Sequence, residues 1–282
     1  MSSPDRYAVL GHPVAHSQSP FIHGEFARQC RQAMCYERVL CPLDGFAESL
    51  QAFAAGGGRG CNVTVPFKLE AWQVADEHTA RADRARAANT LRRDGDRWVA
   101  DNTDGVGLRR DLEVNAGVGL AGRTLLLIGA GGAAAGVLGP LLQAAPARLV
   151  LANRSEARAR ELADRHRDWA GEHGVRLEVA PLGQPGTAFD VVVNASSSSL
   201  QGGAPPVPDE VLRPGTLAVD LMYGPAAQGF LDWAASRGAQ GRDGLGMLVE
   251  QAAEAFLFWR GVRPETAPVL EALRARLAAD GH

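Results

Sequence analysis

The sequence predicts an α/β protein of two domains, each built on a sheet that is rich in parallel strands. Its 282 residues exceed the roughly 150 residues of a typical single domain. Short apolar segments with strand character alternate with longer helical segments, an order that places helices against a parallel sheet. A glycine-rich turn at 129–134 connects one apolar segment to the helix that follows it.

The first predicted domain covers residues 1–104. Strands are predicted at 7–10, 37–40 and 61–65, helices at 20–29 and 46–55, and a further helix beginning at Pro66. Ser19 is expected to cap the helix at 20–29, with Pro20 in its first position, because serine followed by proline is typical of helix starts. The glycines at 56–58 end the helix at 46–55.

The second predicted domain covers residues 105–246. Apolar segments at 123–128, 149–152, 190–194 and 217–221 predict four strands with helices between them. The serine- and proline-rich stretch 196–208 is expected to be a loop. Beyond this domain, residues 247–260 have a strongly helical pattern.

The composition argues against several classes of function. The formal net charge of −3 provides no basic surface for nucleic acid. Cys30, Cys35, Cys41 and Cys61 form neither a C-x-x-C pair nor a zinc-finger spacing, so we expect free thiols and no metal. No secretory signal is evident and no apolar run reaches the ~20 residues of a membrane helix, so the cytoplasm is the expected compartment.

The turn at 129–134 fits the G-x-G-x-x-G/A pattern of a Rossmann-type dinucleotide-binding domain. Gly129 permits the tight turn, Gly131 lets the backbone approach a pyrophosphate, and Ala134 allows close packing of helix on strand. The pattern follows an apolar strand and opens a helix, which is the context it requires. We therefore expect a dinucleotide at residues Gly129, Ala130, Gly131, Gly132 and Ala133, on the helix N-terminus.

The end of the next strand predicts which dinucleotide binds. An acidic residue there would favour NAD, whereas this chain has Asn153, Arg154 and Ser155, with Arg158 one turn later. Two guanidinium groups and a hydroxyl suit the 2′-phosphate of NADP. Glu156 is the one discordant residue, and we expect it to pair with one of the two arginines.

Polar residues in the first domain point to a substrate site. Ser17 and Ser19 would lie on one side of an extended segment, next to free N–H groups at a helix start, which suits a carboxylate. Lys68 lies in the first turn of a helix and could transfer a proton. Asp104, at the predicted domain junction, could hold its ammonium group, although on spacing alone Asp101 is an equal candidate.

Gln251 falls on the apolar face of the helix at 247–260. A buried amide needs hydrogen-bond partners, which could be substrate hydroxyls or backbone groups between the domains. The sequence leaves both readings open.

Together these stretches resemble the shikimate dehydrogenase family over nearly the whole chain. The resemblance is carried by Ser17-Gln18-Ser19-Pro20, Asn62-Val63-Thr64-Val65-Pro66-Phe67-Lys68, Asn89-Thr90, Asp101-Asn102-Thr103-Asp104-Gly105, the glycine turn, Asn153-Arg154-Ser155 and Asp243-Gly244-Leu245-Gly246-Met247-Leu248-Val249-Glu250-Gln251. It implies NADPH-dependent, reversible reduction of 3-dehydroshikimate to shikimate. It also implies a discontinuous substrate domain, residues 1–104 plus 247–282, in which the C-terminal helices pack on the first part.

The resemblance further implies a role for individual residues. Lys68 and Asp104 would be catalytic, and the substrate would contact Ser17, Ser19, Thr64, Asn89, Asp104, Tyr223 and Gln251. Leu221 and Gly244 would line the nicotinamide pocket. The alternatives are a quinate/shikimate dehydrogenase with relaxed choice of substrate or cofactor, a folate-type two-domain reductase, and a non-catalytic NADPH sensor. The sequence leaves both a monomer and a homodimer open.

Overall fold

The computed structural model describes residues 3–201 and 203–279. It separates the chain into two compact units, one formed by Met1–Gly107 with Val249–Arg276, the other by Leu108–Leu248 with Leu277–His282. The sequence predicts these divisions after residue 104 and before residue 247, with everything from 247 onward in the first unit. Residues 280–282 of that prediction, and Gly202 of the predicted 196–208 loop, lie outside the described residues.

The first unit is built on a six-stranded sheet. Its strands are β1 (Asp5–Gly11), β2 (Met34–Leu40), β3 (Gly58–Val63), β4 (Glu77–His78), β5 (Thr90–Asp94) and β6 (Arg97–Asp101). They lie in the order β2-β1-β3-β5-β6-β4, and only the pairs that involve β5 are antiparallel. The predicted parallel-rich sheet is confirmed. The sequence did not single out β4, β5 and β6, because β4 is only two exposed polar residues, and β5 and β6 are five-residue strands whose charged residues interrupt the apolar pattern.

Four helices lie with this sheet in the first unit, and a fifth begins there and continues into the second unit at Leu108. They are α1 (Ser19–Gln29), α2 (Phe46–Ala55), α3 (Lys68–Val74), α4 (Ala80–Ala85) and α5 (Asp104–Arg110). Phe46 of α2 and Phe67 stack at 5.2 Å in a core that also contains Leu10 of β1 and Val63 of β3. Burial of these side chains holds α2 and the start of α3 against the carboxyl ends of the central strands.

The starts of α1 and α3 differ from the prediction. Gln18, not Ser19, occupies the N-cap position of α1, and its backbone is helical rather than extended (φ −86°, ψ −4°). The helix predicted to begin at Pro66 begins at Lys68, because Phe67 N–H first closes a turn on the Thr64 carbonyl at 3.1 Å. That turn also ends β3 at Val63, two residues before the predicted end.

The second unit contains a fully parallel sheet. Its strands are β7 (Thr124–Ile128), β8 (Arg148–Asn153), β9 (Arg176–Pro181), β10 (Val191–Asn194), β11 (Leu217–Asp220) and β12 (Gln240–Arg242), in the order β12-β11-β10-β7-β8-β9. From the centre of the sheet, β7 to β9 follow one another toward one edge and β10 to β12 toward the other. This reversal of strand order between β7 and β10 is typical of a Rossmann-type domain. The sequence predicted four of these strands. The edge strands β9 and β12 were missed because they are half exposed and lack a continuous apolar run.

Helices α6 (Gly132–Gln143), α7 (Glu156–Arg165), α8 (Arg167–Glu172) and α9 (Gln228–Ser236) connect these strands, and α10 (Leu245–Arg260) and α11 (Ala267–Ala279) close the chain. Trp259 of α10 donates to the Leu91 carbonyl at 2.9 Å, and Arg260 bonds Asp5 at 2.5 Å. The C-terminal helices therefore pack on the first unit, as predicted. Across residues 3–201 and 203–279, the helices are all too short or too polar to cross a membrane.

Candidate active site

The centre of the candidate site is an ion pair between Lys68 and Asp104. Each is the first residue of its helix, α3 and α5, so the two helix starts face one another. Lys68 Nζ lies 2.6 Å from Asp104 Oδ2, and the two side chains are 18% and 7% exposed. Ala88 N–H fixes the Lys68 carbonyl at 2.7 Å. The pair thus holds an ammonium group at a defined position while leaving part of it accessible.

Asn89 orients the carboxylate of this pair. Its Nδ2 donates to Asp104 Oδ1 at 2.8 Å and to Gln251 Oε1 at 3.1 Å. Its Oδ1 accepts the Thr103 N–H at 2.8 Å. Because Asn89 and Asp104 are both buried, these bonds form in a medium where they are strong and geometrically restrictive. The two oxygens of Asp104 therefore serve different partners, one Lys68 and one Asn89.

Gln251 reaches this network because α10 and α5 approach closely. A Cβ added to Gly107 would lie 2.6 Å from Gln251 Cβ, so only glycine permits the approach. Gln251 is 8% exposed, and its Oε1 also accepts from Thr103 Oγ1 at 3.3 Å. From the sequence, Gln251 was expected to bond substrate hydroxyls or backbone groups, and its contacts with the side chains of Asn89 and Thr103 were not foreseen. Thr103 was missed as a site residue, although it lies inside the motif that contains Asp104.

The structure separates the two acidic candidates. Asp101 is fully buried, and its carboxylate accepts two bonds from Arg81, at 2.6 and 2.5 Å, and one from Thr79 at 2.7 Å. It also accepts the N–H of Asn102. Asp101 therefore anchors α4 and the short segment between β6 and α5, whereas Asp104 holds Lys68.

Ser17 and Ser19 come together, although not as expected. Their segment turns through Gln18 instead of running extended, yet Ser17 Oγ donates to Ser19 Oγ at 3.1 Å. The Ser19 N–H returns to Ser17 Oγ at 3.3 Å. Arg38 donates twice to the Ser17 carbonyl, at 3.1 and 2.7 Å, and adds a positive charge beside the pair that the sequence reading missed.

Thr64 is the residue that follows β3, four residues before Lys68 in the sequence. Its N–H donates to the Leu10 carbonyl at 2.9 Å, which aligns it with the end of β1. Its Cγ2 lies so close to Gly11 that a Cβ there would approach to 2.2 Å. Glycine at position 11 therefore lets Thr64 occupy this place.

The glycine turn of the second unit has the features of a dinucleotide site. Gly129 has φ +115°, and a Cβ on it would lie 2.9 Å from the Ala195 carbonyl oxygen. A Cβ on Gly131 would meet nothing within 4 Å, so open space lies above the start of α6. Gly131 occupies the N-cap position of α6, and Ala134 is buried against the sheet. Backbone N–H groups at this helix start are thus accessible to an anion.

The residues after β8 form a second cationic element. Arg154 and Arg158 are exposed, and Ser155 caps α7 by accepting the Arg158 N–H at 3.5 Å. Asn153 Nδ2 donates to the Ser155 carbonyl at 3.0 Å and shapes the turn. Glu156 pairs with Arg160 at 2.9 Å, so the expectation that it pairs with Arg154 or Arg158 is wrong. Residues four apart on a helix face one another, which explains this choice.

Leu221, Tyr223 and Gly244 lie beyond β11 in the second unit. Gly244 N–H donates to the Met222 carbonyl at 2.8 Å, and a Cβ on Gly244 would lie 2.3 Å from the Leu221 carbonyl oxygen. Glycine is therefore required for this close approach. Burial raises the pKa of Tyr223, so its hydroxyl stays protonated.

Beneath this turn, the Asp220 carboxylate is buried and bonded to Asn194 Nδ2 at 3.0 Å, Ser199 Oγ and the Met222 N–H. Burial raises the pKa of Asp220. The segment 196–208, which the sequence predicts as a loop, begins with a one-turn 3₁₀ helix at Ser198–Gln201. Within the described residues, no group of His, Cys, Asp and Glu could hold a metal ion, and all four cysteines are free.

Three family models match successive parts of the chain. Residues 9–91 match the shikimate dehydrogenase substrate binding domain, residues 113–201 match shikimate / quinate 5-dehydrogenase, and residues 244–274 match the shikimate 5′-dehydrogenase C-terminal domain. The matched parts contain the serine pair, Lys68, the glycine turn and Gln251.

Individual relatives extend this likeness to nearly full length. The shikimate dehydrogenase (NADP(+)) of Methylibium petroleiphilum is 64% identical over 277 residues, covering 96% of this chain and 94% of the relative. The crystal structure of an Ael1 enzyme from Pseudomonas putida has a TM-score of 0.87 and 47% identity, covering 95% and 98% of the two chains. The shikimate 5-dehydrogenase of Thermus thermophilus, solved with NADP(H) and shikimate, has a TM-score of 0.82 and 33% identity, covering 96% and 98%.

Proposed function

The chain belongs to the shikimate dehydrogenase family, and we propose that it catalyses the reversible NADPH-dependent reduction of 3-dehydroshikimate to shikimate. This reaction is a step toward chorismate and the aromatic amino acids. The observation that carries the proposal is the 2.6 Å contact between Lys68 Nζ and Asp104 Oδ2 within a set of polar side chains suited to a polyhydroxylated acid.

The second unit supports NADP as the cofactor. The open space above Gly131 and the accessible start of α6 fit a pyrophosphate. Arg154, which lies just before the N-cap of α7, and Arg158, in the first turn of α7, are both exposed, and their charges suit a 2′-phosphate. An acidic residue that would select the ribose hydroxyl of NAD is replaced here by Asn153. Leu221 and Gly244 are proposed to line the nicotinamide pocket.

The first unit would hold the substrate by its carboxylate and hydroxyls. Ser17 and Ser19 are proposed to donate to the carboxylate, with the Arg38 charge nearby. Thr64, Asn89 and Gln251 are proposed to contact ring hydroxyls, and Tyr223 of the second unit is proposed as a further substrate contact. These contacts would fix the carbon to be reduced relative to Lys68.

Lys68 is proposed to act as the acid–base group. NADPH, when bound, supplies the hydride to the carbonyl carbon. Lys68 donates a proton to the carbonyl oxygen as negative charge develops on it, and in the reverse direction the same nitrogen takes the proton back. Asp104 keeps the ammonium group at that oxygen, and Asn89 keeps Asp104 in place.

Three alternatives make different predictions. A quinate/shikimate dehydrogenase would oxidise quinate at a comparable rate or accept NAD. A folate-type reductase would leave the serine pair without a role. A cofactor sensor would bind NADPH without turnover and would not need the Lys68–Asp104–Gln251 arrangement.

The deciding experiment follows the absorbance band of NADPH with purified protein, testing shikimate and quinate against NADP and NAD. We expect turnover with shikimate and NADP, with kcat/KM at least about tenfold below it for each other pair, in line with loss of one or two hydrogen bonds. NADPH binding without turnover on any substrate would favour the sensor.

The cytoplasm stays a prediction, and the sequence leaves a monomer and a homodimer equally open. All residues proposed to contact substrate or cofactor come from one chain, so a monomer suffices for the proposed chemistry. Light scattering on the eluting peak of a sizing column would distinguish monomer from dimer.

A further inference from the structure

Thr90 begins β5 next to Asn89 and is fully buried. The strand register places it opposite Asn62 of β3, and opposite residues of an antiparallel pair project from the same face of the sheet. Asn62 Nδ2 donates to Thr90 Oγ1 at 3.0 Å and to the Asn89 carbonyl at 3.2 Å. Because a carbonyl can only accept, the group that faces Thr90 is the NH₂ of Asn62. The Thr90 hydroxyl therefore accepts a proton from Asn62 and directs its own proton elsewhere.

Tyr36 and His23 hold Asn62 from its other end. Asn62 Oδ1 accepts from the Tyr36 hydroxyl at 2.7 Å and from His23 Nε2 at 3.1 Å. Burial lowers the pKa of His23 to about 3, so the ring is neutral at neutral pH. The ring proton lies on Nε2, because the amide oxygen can only accept. The Asn62 amide thus has partners for its oxygen and its NH₂ group, and turning it over would place donor against donor.

The Thr90 proton points to the Asn89 side chain. Thr90 Oγ1 lies 3.0 Å from Asn89 Oδ1 and 3.4 Å from Thr103 Oγ1, so the amide oxygen is the nearer acceptor. The Thr103 N–H, which can only donate, lies 2.8 Å from the same Asn89 atom and identifies it as oxygen rather than nitrogen. The Asn89 oxygen therefore accepts from the Thr103 main chain and from the Thr90 hydroxyl.

These bonds decide which end of Asn89 faces the proposed catalytic pair. Asn89 Nδ2 donates to Asp104 Oδ1 at 2.8 Å, while Asp104 Oδ2 holds Lys68 Nζ at 2.6 Å. If the Asn89 amide were turned over, its oxygen would face the Asp104 carboxylate and its NH₂ group would face the Thr103 N–H, so both ends would be repelled. The Thr90 hydroxyl adds a second bond on the oxygen, so the position of the NH₂ group does not depend on Thr103 alone.

We propose that Thr90 is a positioning residue for proton transfer, which acts through Asn89 on the carboxylate that holds Lys68. The hydrogen bonds run one way, from Asn62 through Thr90 and Asn89 to Asp104. Inside a protein, a hydroxyl that accepts a bond donates a stronger one, so each link strengthens the next. The inference rests on the proposed function, because it takes Lys68 to be the proton donor to the substrate.

Thr90→Val removes the hydroxyl and keeps the branched shape that suits a strand. We expect it to lower kcat for shikimate oxidation about fivefold, the worth of roughly one net hydrogen bond. The KM for shikimate should change by less than about twofold, because the ion pair acts on charge that develops in the transition state. The KM for NADP should stay at the wild-type value. Thr90→Ser keeps the hydroxyl and should restore most of kcat.

Thr216→Val is the matched control in the other unit. Thr216 is buried, and its Oγ1 donates to the Phe189 carbonyl at 2.7 Å and accepts the Arg213 N–H at 3.0 Å. Each valine variant thus loses one donated and one accepted bond of a buried threonine. Both should lower the melting temperature, but Thr216→Val should keep the kcat of the folded protein. An equal loss of kcat in the two variants would mean that Thr90 acts only through stability.

A second background tests the path through Asn89. In Asn89→Ala, adding Thr90→Val should cause no further fall in kcat, because the link that transmits the effect is gone. If Thr90→Val folds poorly, Thr90→Ser and Thr90→Ala make the same comparison, since they differ only in the hydroxyl. Wild-type kcat in a folded variant without the hydroxyl, failure of Thr90→Ser to restore kcat, or multiplied losses in Asn89→Ala would overturn the role of Thr90. Wild-type enzyme inactive on shikimate would instead overturn the proposed function.

Discussion

Asp104→Asn tests the proposed acid–base pair with the smallest change in shape. The carboxylate has a donor at each oxygen, Lys68 Nζ at 2.6 Å and Asn89 Nδ2 at 2.8 Å. An amide has only one oxygen, so either orientation places its NH₂ group against another donor. Breaking a buried ion pair by changing one partner costs about 3–5 kcal/mol. Lys68 is 18% exposed, so water can solvate part of its unpaired charge. We therefore expect a free-energy cost of about 3 kcal/mol, the lower end of that range.

If that loss falls on the transition state, kcat should fall by about two orders of magnitude, since each 1.4 kcal/mol is about tenfold. The assay is initial-rate oxidation of shikimate at saturating NADP, followed at the NADPH band, with NADPH affinity measured separately by fluorescence. We expect NADPH affinity to stay at the wild-type value, because the cofactor residues lie in the other unit.

Asp101→Asn is the matched control, because it makes the same change three residues earlier in a carboxylate bound by Arg81. It should lower the melting temperature while the folded fraction keeps kcat within a few-fold of wild type. If Asp104→Asn retained more than half of wild-type kcat, or if Asp101→Asn lost kcat while remaining folded, the assignment of Asp104 would be wrong.

Three other predictions follow from the same structure. Lys68→Ala should lose most of kcat and keep NADPH affinity; a nearly active variant would remove Lys68 from the mechanism. Arg154→Ala combined with Arg158→Ala should weaken NADP binding about ten- to a hundredfold and leave NAD binding unchanged, measured by titration, and equal losses for both dinucleotides would contradict a 2′-phosphate site. His23 should make stability depend on pH, since the unfolded ring binds a proton below about 6.5 and the folded ring only below about 3. The free energy of unfolding should therefore be highest above pH 6.5 and fall by about 1.4 kcal/mol per unit below it, a slope that His23→Gln should reduce; parallel curves for the two proteins would contradict this.

Much of the fold could be predicted because its signals are local. The β7 strand is a continuous apolar run, since both faces of a central parallel strand are buried. α2 was predicted to the residue, because its apolar face and the glycines after it leave no alternative boundary. The edge strands β9 and β12 were missed because they are half exposed, so their sequences contain no continuous apolar run.

The candidate site was only partly predictable. Lys68, Asp104 and the serine pair were expected from short motifs, and their roles stay predictions. The prediction that Ser19 is the N-cap of α1 was wrong, and Gln18 occupies that position. A serine before a proline predicts a cap, but it does not reveal that the serine hydroxyl bonds to Ser17 instead. The role of Arg38 carried no sequence signal, since an exposed arginine in an edge strand usually extends into solvent.

By itself, the sequence determined the α/β fold class with its two parallel-rich sheets, and the strand, glycine turn and helix around Gly129, because each depends on neighbours within a few positions. The tertiary structure decided that Asp104 rather than Asp101 holds Lys68, and that Arg38 donates to the carbonyl of Ser17. Both depend on contacts between segments distant in the chain. Only folding brings such groups within hydrogen-bonding distance, and burial then decides which of several equivalent side chains takes each partner.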